Sequence, residues 1–179
     1  MMVKIHNNLK AVVVISLAIA CCTLAVAWPQ WQQELQAQNY RLEVPVDIKP
    51  GSCPNPLNVD ALGILTVALL GTERFDVTQV DLGTVRLEGI APIRWSIEDV
   101  ATPYEPYIGK NDIYDCREDK RDKHNDLVLK FNVLDIVVGA LGNIQDGDAF
   151  LLQMTGNLKQ EFGGYPFIGE DVIRIIKKK

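Results

Sequence analysis

From Leu42 the chain alternates apolar and polar positions with a period of two, Leu42, Val44, Val46 and Ile48 against Glu43, Asp47 and Lys49. That is the pattern of a half-buried β-strand, and Pro45 inside it, which has no N–H for a ladder, predicts a sheet edge. Pro50 to Pro56, with Gly51, Ser52 and Asn55 between them, reads as a dense turn. Gly63 to Gly71 encloses an apolar run short enough for a buried strand. Phe75–Thr78 and Val80-Asp81 read as a connecting turn, Thr84–Glu88 as a strand, and Ile93–Ile97 as a further short one.

Residues 99–126 hold few apolar positions and predict a long loop. Leu127–Phe131 is the next strand. Val133–Leu141 predicts a helical turn with Leu134, Val137, Val138 and Leu141 on one face. Ala149–Thr155 and Pro166–Ile176 complete the set, with a turn at Asp146–Asp148. Short strands separated by turns, with almost no helix, predict an all-β fold. The expected form is an antiparallel β-sandwich, immunoglobulin-like in the broad sense, with one short helical turn. A parallel α/β fold needs amphipathic helices between its strands, and the pattern offers none.

The first 27 residues follow a different logic. Lys4 and Lys10 precede an apolar run from Ala11 that closes in Ala25-Val26-Ala27, the form of a secretory signal peptide cut before Trp28. An uncleaved anchor is the competing reading, since the run sits at the short end of the roughly 17–25 residues that span a bilayer. Lipidation at Cys21 or Cys22 ranks lower. Export, to the periplasm or beyond the cell, is therefore expected. The domain plan is a signal at 1–27, a Gln-rich arm or short helix at 28–41, and a β-sandwich at 42–179, with no membrane span after cleavage.

The whole chain has 179 residues, with 18 Lys+Arg against 23 Asp+Glu. Loss of the signal removes two lysines and no acid, so the exported part is more acidic still. That balance disfavours nucleic acid. Only Cys53 and Cys116 remain after cleavage, and an even pair in an exported chain predicts a disulfide. Closing so long a loop stabilises by about 4 kcal/mol in the chain-entropy model.

Six runs, VDIKPGSCPNPLN (46–58), LGTERFDVTQVD (70–81), TVRLEGIAPIRWSIEDVATPYEP (84–106), DLVLKF (126–131), DGDAFLLQMTGNL (146–158) and GEDVIRI (169–175), are distinctive. Together they resemble an uncharacterised family of exported bacterial β-sandwich proteins marked by the DIKPGSCPNPLN motif. The resemblance covers nearly all of 42–176. It implies a small exported β-domain with a Cys-containing acidic loop that takes a cation. Thr66 and Gly83 stand where prolines are expected, and the acidic loop lacks the expected Asp-Gly step.

That loop is the leading candidate for chemistry. Asp112, Asp115, Asp119, Asp122 and Asp126 are the expected ligands of a Ca²⁺ ion, a hard cation that takes six to eight oxygens. Arg117, Lys120, Arg121 and Lys123 are interleaved, and the segment does not match an EF-hand loop, so a solvated mixed-charge surface is the competing reading. The alternative ligand surface is aromatic: Trp95, Tyr104 and Tyr107 flank the loop and suit sugar rings, or else anchor it. No catalytic residues are expected, because His124 is the only histidine after the signal and nothing resembles a nucleophile elbow. The sequence thus predicts a non-enzymatic, exported calcium-binding module with a structural or adhesive role. Its expected partners are cell-surface or matrix proteins, or glycans.

Overall fold

The computed structural model describes residues 41–61, 63–119 and 121–177. The expected signal peptide and nearly all of the 28–41 arm lie outside the described residues, as do the last two lysines. The described chain forms nine strands: β1 (Leu42–Glu43), β2 (Val46–Ile48), β3 (Asn55–Asn58), β4 (Ile64–Leu69), β5 (Val80–Leu87), β6 (Arg94–Glu98), β7 (Asp126–Asn132), β8 (Ala149–Leu158) and β9 (Pro166–Ile176). A short helix, α1 (Val133–Ile136), runs on into a wider turn over Val137–Leu141.

The strands make two sheets. One runs β1-β9-β8-β5, with β3 also paired to β9, and the other runs β2-β4-β7-β6. Alternate residues of each sheet meet in a shared apolar core. Val46, Ile48, Val67, Leu69, Leu129 and Phe131 come from one side, and Leu57, Leu87, Leu152, Met154, Phe167 and Ile173 from the other. The predicted β-sandwich is the fold, and burial of this core is its main driving force.

Where the structure departs from the sequence reading, the chain's path supplies the reason. The expected single strand over 42–48 is two. Leu42–Glu43 pairs with β9 in one sheet, and Val46–Ile48 pairs with β4 in the other. Pro45 sits at the hop between them, buried, with its carbonyl accepting from Leu70 N at 2.9 Å. The expected turn over 50–56 ends early, because Asn55 and Pro56 open β3. Pro56 is tolerated there because, among the described residues, β3 has a strand on one side only. Both β1 and β3 run parallel to β9, so among the described residues the sandwich is antiparallel except along this one seam.

The helical segment also presents another face. Val133, Ile136 and Leu141 are buried, whereas Leu134 is 50% exposed and Val138 is 76% exposed. The widened turn after Ile136 shifts the register that an ideal helix keeps, and moves Val138 outward. The other predicted strands are present. β5 and β8 run longer than expected, and β5 carries an irregularity between Asp81 and Arg86.

Candidate functional site

The long loop leaves β6 at Asp99 and returns at β7, and it lies across the molecule rather than away from it. Its first residues, Val100 and Ala101, pack on Ala68 and Leu70, the outward-facing residues of the β4 region. Asp126, expected as a calcium ligand at the loop's end, is instead the first residue of β7 and fully buried. Its Oδ1 accepts from Gly71 N at 2.9 Å, and its Oδ2 accepts from Val100 N at 2.7 Å and Ala101 N at 3.2 Å. Burial pushes the Asp126 carboxyl above the usual range, and those three N–H groups oppose the shift. A side chain at Gly71 would strike the Asn125 carbonyl, so this junction needs glycine.

Asp115, Asp112 and Asp122 likewise accept from backbone N–H groups. Asp115 Oδ2 accepts from Asn111 N at 2.9 Å and Asp112 N at 3.0 Å, which holds its carboxyl below the ordinary value, and its Oδ1 accepts from the Tyr104 hydroxyl at 3.1 Å. Asp112 Oδ1 accepts from Tyr114 N, and Asp122 Oδ1 from His124 N, each at 2.9 Å. Asp119 pairs with Arg117 Nε at 3.0 Å on the surface. Asp99, which was not among the expected metal ligands, accepts from Asp122 N and Lys123 N. Cys116 is disulfide-bonded to Cys53, as expected. Among the described residues, no three His, Cys, Asp or Glu side chains gather into a group able to hold a metal ion.

The loop's deepest anchor was missed by sequence reasoning. Lys110 is buried, with Nζ 3.0 Å from Asp171 Oδ1 and 3.3 Å from the Val46 carbonyl. It also lies 5.6 Å from the centroid of the Tyr104 ring, within cation–π range. Asp171 Oδ2 accepts from Ile48 N at 2.7 Å and Asn55 Nδ2 at 2.9 Å. One carboxylate on β9 thereby ties β2, β3 and the loop together, across the edge where the chain hops between sheets. Its neighbour Glu170, also buried, accepts from Gly109 N and from Lys110 N through one oxygen.

Asp47 completes this cluster on the outward side of β2, where alternation had predicted solvent. Desolvation, with the Asp171 charge beside it, pushes its carboxyl up to about 8, against the pull of Lys110. A neutral Asp47 leaves the Lys110 cation balanced by the Asp171 anion. Asp47 Oδ1 and Asn55 Oδ1 are buried and accept no hydrogen bond from the described residues. The signal in the sequence was the Glu170-Asp171 doublet, set in the middle of a strand otherwise apolar but for Arg174.

The aromatic candidates stand in three different settings. Trp95 projects from β6 and is 53% exposed. Tyr104 is half-buried against Lys110 and Asp115. Tyr107, half-buried, lines an open cleft of about 670 Å³ with Glu43, Glu73, Arg74, Phe75, Glu105, Asp122 and His124. Burial, then the adjoining Glu105 charge, raises the Tyr107 hydroxyl above its ordinary value. Comparison with family models, curated proteins and solved structures finds no match to this chain.

Proposed function

We propose that this chain is an exported, non-enzymatic β-sandwich module with a structural or adhesive role at the cell exterior. Its recognition end is the 99–125 loop with the cleft beside it. The observation that carries the reading is the use to which the acidic loop puts its carboxylates. They fasten the backbone to itself and to the sandwich, so the loop presents a preorganised surface, and a fixed surface binds with less ordering cost than a mobile one. The disulfide agrees with an oxidising compartment.

Calcium is the cation we propose. Asp115 and Asp126 have both oxygens engaged, so the spare oxygens are those of Asp112, Asp119 and Asp122, which stand apart among the described residues and which the ion would have to draw together. A thermal melt of the oxidised protein in EGTA and then in millimolar CaCl₂ tests this. A site filled at 100 times its dissociation constant stabilises the fold by about 2.7 kcal/mol, which is several degrees for a domain of this size. The shift is expected to vanish in the Asp112→Asn, Asp122→Asn double variant. An unmoved melting temperature would remove calcium from the account.

A second reading is favoured by the cleft itself. Tyr107 offers an apolar ring beside the acceptors Glu43, Glu73, Glu105 and Asp122, a combination suited to stacking on a sugar and accepting from its hydroxyls. In that reading Tyr107 is the key aromatic, and Tyr107→Ala is expected to abolish retention on a glycan array. Unchanged retention would exclude this cleft.

A further inference from the structure

Strand β6 ends its sheet. β7 lies on one side of it, and no strand lies on the other among the described residues. Its register with β7 puts Trp95 opposite Leu129 and Ile97 opposite Leu127, so both side chains share the face those buried leucines use for the core. Trp95 is nevertheless 53% exposed, Ile97 42% and the adjoining Ile93 51%. The core therefore ends before it reaches β6. Natural edge strands are commonly blunted by Pro, Lys or a covering element, and an uncovered apolar edge is a template for another strand. Arg94, on the opposite face, has no ion-pair partner among the described residues.

The sequence of the strand, Arg94-Trp95-Ser96-Ile97-Glu98, is complementary to itself when reversed. Paired antiparallel about Ser96, Arg94 of one copy faces Glu98 of the other, twice. Trp95 of one copy faces Ile97 of the other on the second face, and an aromatic opposite a β-branched residue is a favourable cross-strand pair. Two-fold symmetry asks this of an isologous contact, since each residue meets its complement on the partner. We propose that β6 pairs antiparallel with β6 of a second copy about Ser96, joining two four-stranded sheets into one of eight.

The test uses sedimentation velocity on the purified protein, produced from the full chain, over a concentration series. The wild type is expected to pass from monomer to dimer as concentration rises. Arg94→Glu and Glu98→Arg each place like charges in opposition twice, and each alone is expected to weaken the dimer by about tenfold or more. An equimolar mixture of the two variants restores both opposite-charge pairs and is expected to dimerise as the wild type does. Trp95→Ala, with an unchanged far-UV spectrum, is expected to stay monomeric. A wild type that is monomeric at every concentration overturns the proposal. So do charge variants that dimerise alone as well as they do together, since that contact would lie elsewhere.

Discussion

Strand β6 and the loop that follows it adjoin in sequence and are built on opposite terms. The loop is dense in charge, yet Asp99, Asp115 and Asp126 spend both carboxylate oxygens on its own backbone, the Gly71 amide or Tyr104. β6 is short, and its core-side residues Trp95 and Ile97 are left exposed. Charge density is thus a poor guide to binding capacity. What matters is how much of each group's capacity the fold has already used, and by that measure β6 is the more available surface.

The largest expected effect tests whether the loop's buried staples outweigh its exposed ones. Asp126→Ala orphans the N–H groups of Gly71, Val100 and Ala101 and should cost about 4 kcal/mol, read as a lower urea midpoint. A loss below about 1 kcal/mol would mean that the loop is held by other contacts.

A smaller effect depends on pH. The folded Asp47 carboxyl titrates near 8, far above its ordinary value of 3.8, so the folded state holds this proton more tightly than the unfolded chain does. Its contribution is complete below pH 4 and is lost as pH rises toward 8, at no more than about 1.4 kcal/mol per unit. Asp47→Asn cannot ionise, so the stability of the wild type relative to this variant should fall between pH 5 and pH 8. Urea midpoints at the two pH values measure it, and parallel profiles would place Asp47 in a solvated setting. The smallest effect belongs to the surface pair. Arg117→Ala frees Asp119 and the Pro103 carbonyl, and should change stability by less than about 0.5 kcal/mol.

Most of the sandwich was legible because strands with one buried face announce themselves by alternation, as in β5 and β8. The hop at Pro45 was not, because a strand that changes sheets keeps its period while changing partners. The helical face was misjudged because the widened turn after Ile136 breaks the spacing on which a face is counted. At the site, the sequence gathered five aspartates by proximity along the chain, whereas the fold distributes them singly, one to each local turn or junction. The Lys110–Asp171 pair spans 61 positions, and no local pattern ties a lysine in a loop to an acid in a distant strand.

The central claim is that carboxylates fix the loop, the buried ones of β7 and β9 most firmly, and amide hydrogen exchange in EGTA tests it most directly. Val100 and Ala101, held by Asp126, and Gly109 and Lys110, held by Glu170, are expected to be protected to a degree approaching that of the sheet amides. Asp126→Asn should release the first pair while leaving the second protected. Exchange of all four at the rate of an unstructured chain would contradict the account.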